Sequence, residues 1–172
     1  MKLAIVENRT PNLYVLHYDL LAWKVQTLML IPQFAFTLSA LERRKPLGPT
    51  ARRAGWVGCN ILLHKIPTDA HIHVIQQGQV RSSKEVRRAY DRLRPLQALS
   101  TEMRGWTLDV LQAVRSMNNT EFSLSDTYAH ADALAKLHPK NSHVRDKIRQ
   151  QLQVLRNLGF VEFLGGGNYR LC

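Results

Sequence analysis

Apolar residues recur at helical spacing through Val144, Ile148, Leu152, Leu155 and Leu158, which predicts a helix beginning near Asn141 with one stripe turned toward a core. At about 100° per residue, Ser142, Arg145, Arg149, Gln153 and Arg156 fall on an adjacent face of hydrogen-bonding and cationic side chains. That face is free to meet an anionic partner. Gly159 stops the helix, Phe160 to Phe163 alternates like a short strand, Gly165 to Gly167 turns the chain, and Asn168 to Leu171 returns it. A polar helix followed by a hairpin predicts a winged helix-turn-helix ending.

Two further helices precede it. Trp106, Val110, Leu111, Val114 and Met117 give the first an apolar face, with Thr107 as its expected cap. Ser123 and Asp126 have the spacing of a capping box, and Leu124, Tyr128, Ala131, Leu134 and Leu137 line the second. Upstream, Leu13 to Tyr18 and Val25 to Ile31 read as strands able to pair as a hairpin, closed by Pro32. Thr37 to Arg44 suggests a short helix, residues 45–60 a loop rich in Pro, Gly and Arg, and His71 to Ile75 another strand. Ser82 or Ser83 then caps a basic helix running through Arg94.

A composition shift near Leu93 to Ser100 marks a linker and divides the chain into residues 1–95 and 96–172. The fold class expected is α+β, a mixed α/β unit followed by a winged helix-turn-helix with its own small core. Two or three strands leave an unpaired edge and a half-covered face, so the first unit reads as the distal part of a larger α/β domain.

Composition narrows the partner. With 172 residues, 45% of them apolar, the chain can bury a core. Its net charge of +11 favours a polyanion. Leu96 to Ala135 holds two basic against five acidic residues, whereas Lys136 to Cys172 holds seven against two. The cationic end is the end with the polar helix, which points to nucleic acid rather than a membrane. The two cysteines, Cys59 and Cys172, form no C-x-x-C pair, arguing against a disulfide framework or thiolate zinc site. Cys59 is expected to be a small buried hydrophobe. There is no apolar run of about 18 residues and no signal-peptide pattern, so a cytoplasmic location is expected.

The segments PTARRAGWVGCNI (49–61), GQV (78–80), RGWTLDVL (104–111), EFSLSDTY (121–128) and KIRQQLQVLRNLGFVEF (147–163) resemble, in order and over nearly the whole chain, the DpnI and Dam-replacing restriction endonucleases. The resemblance implies a PD-(D/E)xK nuclease domain joined to a C-terminal winged helix, acting on G-A-T-C sites with N6-methylated adenine. On this basis residues 1–95 correspond to the distal half of the nuclease domain. The family's Asp, E-x-K motif and zinc-binding cysteine pairs lie upstream of the matching region. No E-x-K occurs in this sequence. Mg²⁺ is expected for the complete family enzyme, no cofactor for this chain, and no catalytic residue is assigned. The chain is expected to be a methyl-adenine-specific DNA-binding remnant. Alternatives are a nuclease completed by an upstream segment or a separate chain, and a winged-helix transcription regulator, although no dimerisation helix is evident.

Side-chain geometry suggests roles at the DNA face. Arg145 and Arg149 can present planar forks to guanine, and Asn141 or Gln150 can pair with adenine. Lys147, Arg156 and Arg170 suit phosphates, which position the protein without reading sequence. Ser142, His143, Gln153, Asn168 and Tyr169 complete this candidate surface. Arg52, Arg53 and Trp56 form a second one, where an aromatic ring can stack on or wedge into DNA while guanidiniums meet phosphates. The wing departs from the family pattern, because Gly165, Gly166, Gly167 and Asn168 carry no charge where basic residues interrupt the glycines. His71 and His73 share one strand face, but the sequence places no third metal ligand nearby.

Overall fold

A computed structural model describes residues 1–7 and 9–172. After a short helix α1 (Lys2–Val6), strands β1 (Leu13–Asp19) and β2 (Lys24–Ile31) form the expected antiparallel hairpin, with Leu13 opposite Ile31. Pro32 ends β2 because it has no N–H to continue the ladder. The segment 37–44 is not a helix. It makes one 3₁₀ turn, Leu38–Ala40, and then strand β3 (Leu41–Arg43), which pairs with β4 (Cys59–Ile61) as a two-stranded ribbon. The predicted loop is therefore the tip of a hairpin arm. Cys59, on that ribbon, is exposed rather than buried.

Strands β5 (Ile72–Gln76) and β6 (Gln79–Val80) extend the first hairpin into a four-stranded sheet of order β1-β2-β5-β6. Helix α2 (Ser83–Leu93) packs on β5. Its cap is Ser82, which accepts from Glu85 N–H while Glu85 returns bonds to the Ser82 backbone and hydroxyl. Residues 94–98 form a 3₁₀ segment with Leu96 fully buried, so the expected linker is a packed joint.

The C-terminal part follows the winged-helix order. Helix α3 (Thr101–Ser116) is followed by β7 (Glu121–Ser123), α4 (Leu124–Tyr128), α5 (Ala131–Leu137), α6 (Val144–Asn157), β8 (Val161–Gly165) and β9 (Asn168–Leu171). The three strands form a sheet in the order β7-β9-β8. Helix α3 begins seven residues earlier than expected and is capped by Ser100, which accepts from Met103 N–H. Thr107 is buried inside it and donates to the Met103 carbonyl and Gln151 Oε1. The predicted second helix is broken at Ala129–His130 into α4 and α5, and its last apolar residue, Leu137, is exposed.

Helix α3 is buried almost all round, including Arg104, Trp106, Leu108 and Asp109, because both parts of the protein pack on it. Asp109 accepts from Ser39 Oγ at 2.5 Å and lies 2.9 Å from His138 Nε2, whose ring stacks on Trp106. Arg115 makes a two-point ion pair with Asp69 across the same boundary. One apolar core runs through both parts.

Candidate nucleic-acid interface

Helix α6 owes its placement to Ile148, Leu152 and Leu155, all fully buried, and packs against α3, α4, α5 and β8. Gln151 also sits in this core, satisfied by the Thr107 hydroxyl. The helix ends where Gly159 adopts φ +75°, a left-handed turn that lets Phe160 N–H bond the Leu155 carbonyl. The wing turn needs the same freedom, since Gly166 and Gly167 have φ of 57° and 81°.

Arg145, Arg149, Gln150, Gln153 and Arg156 are all exposed. By helical rotation Arg145, Arg149 and Arg156 form a row on one flank, within about 40° of each other. Neither Arg145 nor Arg149 has a carboxylate partner among the described residues. Instead both approach the Tyr128 ring of α4, with guanidinium carbons 5.3 and 5.8 Å from its centroid. Lys147 is half-buried on the opposite flank, and Gln153 donates to Asn157 Oδ1.

Several candidates have other duties. Asn141 precedes the helix, and its Oδ1 accepts from His143 N–H, so this conformation cannot offer adenine a two-point amide contact. Ser142 and His143 are exposed in the turn before α6, which begins only at Val144. Arg170 is held by Glu121 and Glu162 on the neighbouring strands rather than left free for phosphate. Tyr169 packs between Phe122 and Phe163, and burial pushes its phenol pKa up. Asn168 is exposed at the wing. Sequence reasoning missed Tyr128 because its spacing marked it only as a lining residue of the second helix.

The β3–β4 arm carries the second group. Its tip is folded back on itself by bonds from Leu47 N–H to the Trp56 carbonyl and from Gly55 N–H to the Leu47 carbonyl. Arg52, Arg53 and Trp56 are exposed there, Trp56 by 53%. Trp56 is thus a surface side chain of the arm and not part of the core.

A nuclease metal fits the residues present poorly. The six carboxylates of residues 1–95 are each engaged within the protein: Glu7 by Arg9, Asp19 by the Leu21 and Ala22 N–H groups, Glu42 by Asn60, Asp69 by Arg115, Glu85 by Ser82 and Asp91 by Arg94. Among the described residues no three His, Cys, Asp or Glu side chains converge where they could hold a metal ion, and no carboxylate of residues 1–95 is left unengaged to hold Mg²⁺ against a phosphate.

Among the described residues, no helix is long and apolar enough to cross a membrane. Residues 1–99 match the family model described as the Dam-replacing family, and residues 102–171 match the Dam-replacing HTH domain.

Proposed function

We propose, from the premise that this chain belongs to the Dam-replacing family, that it binds double-stranded G-A-T-C sites bearing N6-methyladenine and does not cut them by itself. The observation that carries this reading is the exposed row of Arg145, Arg149 and Arg156 on a helix whose other face is locked into the core. Laid in a major groove, such a helix offers Arg145 and Arg149 to guanine O6 and N7, with Gln150 as the available amide for adenine. The Trp56 arm supplies a second contact to the duplex.

The methyl group projects into the same groove. Burying one contributes about 0.8 kcal/mol, so a palindromic site with two gains about 1.6 kcal/mol, roughly tenfold in affinity. A cleft of about 360 Å³ beside Ser142 and Arg145 offers the methyl group three small apolar side chains, Ala131, Ala135 and Val144, set among the polar Asp132, His143 and Asp146. Titration of unmethylated, hemimethylated and fully methylated duplexes at one salt concentration tests the reading. The fully methylated duplex is expected to bind at least severalfold tighter than the unmethylated one, with the hemimethylated form between. Equal dissociation constants leave only an unspecific duplex binder, and site-specific cutting of methylated plasmid by the purified chain with Mg²⁺ refutes the non-cutting part.

A second reading, an active nuclease completed by a separate chain, is favoured by β1. This edge strand exposes Tyr14 and Leu16, each by 59%, and the turn after it exposes Leu21 and Trp23 by 97% and 82%. Unpaired backbone groups beside exposed apolar side chains suit an added strand or a covering element. In that reading the metal-binding carboxylates come from the partner.

A further inference from the structure

We propose that α2 and the edge of the winged helix at Gly159 and Cys172, just past the C-terminal end of α6, form a second polyanion groove, which holds the phosphate backbone of duplex flanking the site read by α6. The proposal rests on DNA binding by the helix-turn-helix and extends it to a surface with no part in base reading. A groove of about 1160 Å³ runs between the two parts of the protein, bounded on one side by Arg81, Lys84, Arg87 and Arg88 and on the other by Gly159 and Cys172. All four cations are exposed, and among the described residues none forms an ion pair with a carboxylate. Three carboxylates also line the groove, and each is engaged within the protein: Asp69 by Arg115, Glu85 by the Ser82 cap and Asp91 by Arg94.

Two features turn this from a solvated helix face into a built surface. Arg92 donates to the Cys172 backbone oxygen at 2.6 Å and lies 5.7 Å over the Phe160 ring, clamping α2 to the end of the winged helix. Arg81 is held by Gln76 Oε1 at 2.7 Å. Lys84 and Arg88, one turn apart, repel each other, as do Lys84 and Arg87. A line of phosphates relieves that repulsion. The apolar residues of α2 do not favour a membrane: Val86, Ala89 and Leu93 turn inward, and an interfacial helix needs them outward.

Distance gives the proposal its signature. At 1.5 Å per residue, the 14 residues of α6 put its C-terminal end about 20 Å from Val144. Along a duplex that is about six base pairs. A 10-base-pair duplex centred on the site cannot engage both surfaces fully, whereas a 24-base-pair duplex can.

The test measures full-chain affinity for both lengths across a salt series, with Lys84→Gln/Arg87→Gln/Arg88→Gln beside the wild type. Glutamine keeps helix propensity, and Arg87→Lys/Arg88→Lys serves as the charge-retaining control. The wild type is expected to bind the longer duplex several times more tightly than the number of available registers explains. The triple variant loses that advantage, its salt slope on the long duplex falls by about 2 to 3, and its affinity for the short duplex holds. The lysine variant keeps the advantage. Should the triple variant lose its thermal transition, Arg87→Gln alone is expected to lower the slope by about 1. Unchanged long-duplex binding overturns the proposal, as does an equal loss on both lengths. Loss of binding only to anionic lipid vesicles assigns the surface to a membrane and also overturns it. If the wild type ignores the short duplex but shows the charge-dependent gain on the long one, base reading by α6 fails while the groove stands.

Discussion

The guanidinium carbon of Arg145 lies 5.3 Å from the centroid of the Tyr128 ring, and Arg149, one turn further along α6, approaches the same ring at 5.8 Å. Two like charges on one helix flank would otherwise splay apart. A single aromatic ring from the preceding helix gathers them instead. On the proposed function, Tyr128 is a positioning residue that orders both forks in the free protein.

Replacing Tyr128 tests this preparation. Exposed cation–π pairs contribute about 0.5 to 1 kcal/mol each, which caps the ordering they give the free protein, so Tyr128→Leu is expected to weaken cognate binding by at most about 1 to 2 kcal/mol. Tyr128→Phe keeps the ring face and is expected to lose much less. A purely structural role would lower the thermal midpoint and weaken all duplexes alike. A positioning role instead shrinks the ratio of cognate to scrambled affinity. Competition binding together with a thermal melt separates the two.

A pH effect follows from His71. Burial holds its imidazole pKa below the usual value, outweighing the opposing hydrogen bond to the Leu63 backbone, and its Nε2 is buried without a partner. Its neighbours on the surrounding elements are His73, Asp69, Arg81 and Glu85. The native state thus keeps His71 neutral while the unfolded chain protonates it near pH 6.5. Above that pH the group costs nothing; as pH falls below it, the unfolded state binds the extra proton and stability declines until the depressed folded pKa is reached. Urea midpoints between pH 7.5 and 5.5 are expected to fall for the wild type and to fall less for His71→Phe. Parallel pH dependences for the two proteins would assign the decline to other groups.

The sequence pattern exposed the elements whose side chains repeat over several turns or along a full strand. The β1–β2 hairpin, the Ser123–Asp126 cap and the buried stripe of α6 are all legible from spacing alone. Short elements were not. Strands β3, β4 and β7 have three residues each, too few for an alternation to rise above chance, and only cross-chain pairing defines them. The two-unit reading also hid the role of α3, since an apolar face predicts one packing partner and gives no sign of a second. Nothing in the spacing of Asp109 and Arg115 marks Ser39, His138 and Asp69 as the partners that draw them into the boundary. In the candidate site, helical position correctly exposed Arg145, Arg149 and Arg156, while the tertiary partners of Asn141 and Arg170 could not be read from spacing.

Those partners divide the cationic residues of the winged helix into three behaviours. Arg149 is exposed and has no carboxylate partner among the described residues; on the proposed function it reads a base, so Arg149→Ala is expected to cost about 1 to 3 kcal/mol on cognate duplex and to relax sequence preference. Lys147 sits half-buried on the opposite flank; if it meets phosphate, as its compact ammonium suits, Lys147→Ala is expected to weaken all sequences alike and reduce the salt slope by about 1. Arg170 ties β9 to β7 and β8 through Glu121 and Glu162, in an exposed network worth little on its own. Its replacement is expected to leave the cognate-to-scrambled ratio intact and to loosen the wing, seen as faster amide exchange in β7 to β9. Measured together at fixed salt, the three variants give distinct signatures: a loss of discrimination, a uniform loss, and a local loss of protection. If Arg149→Ala instead weakens cognate and scrambled duplexes equally, that side chain belongs on a phosphate, and base reading passes to Arg145 and Gln150.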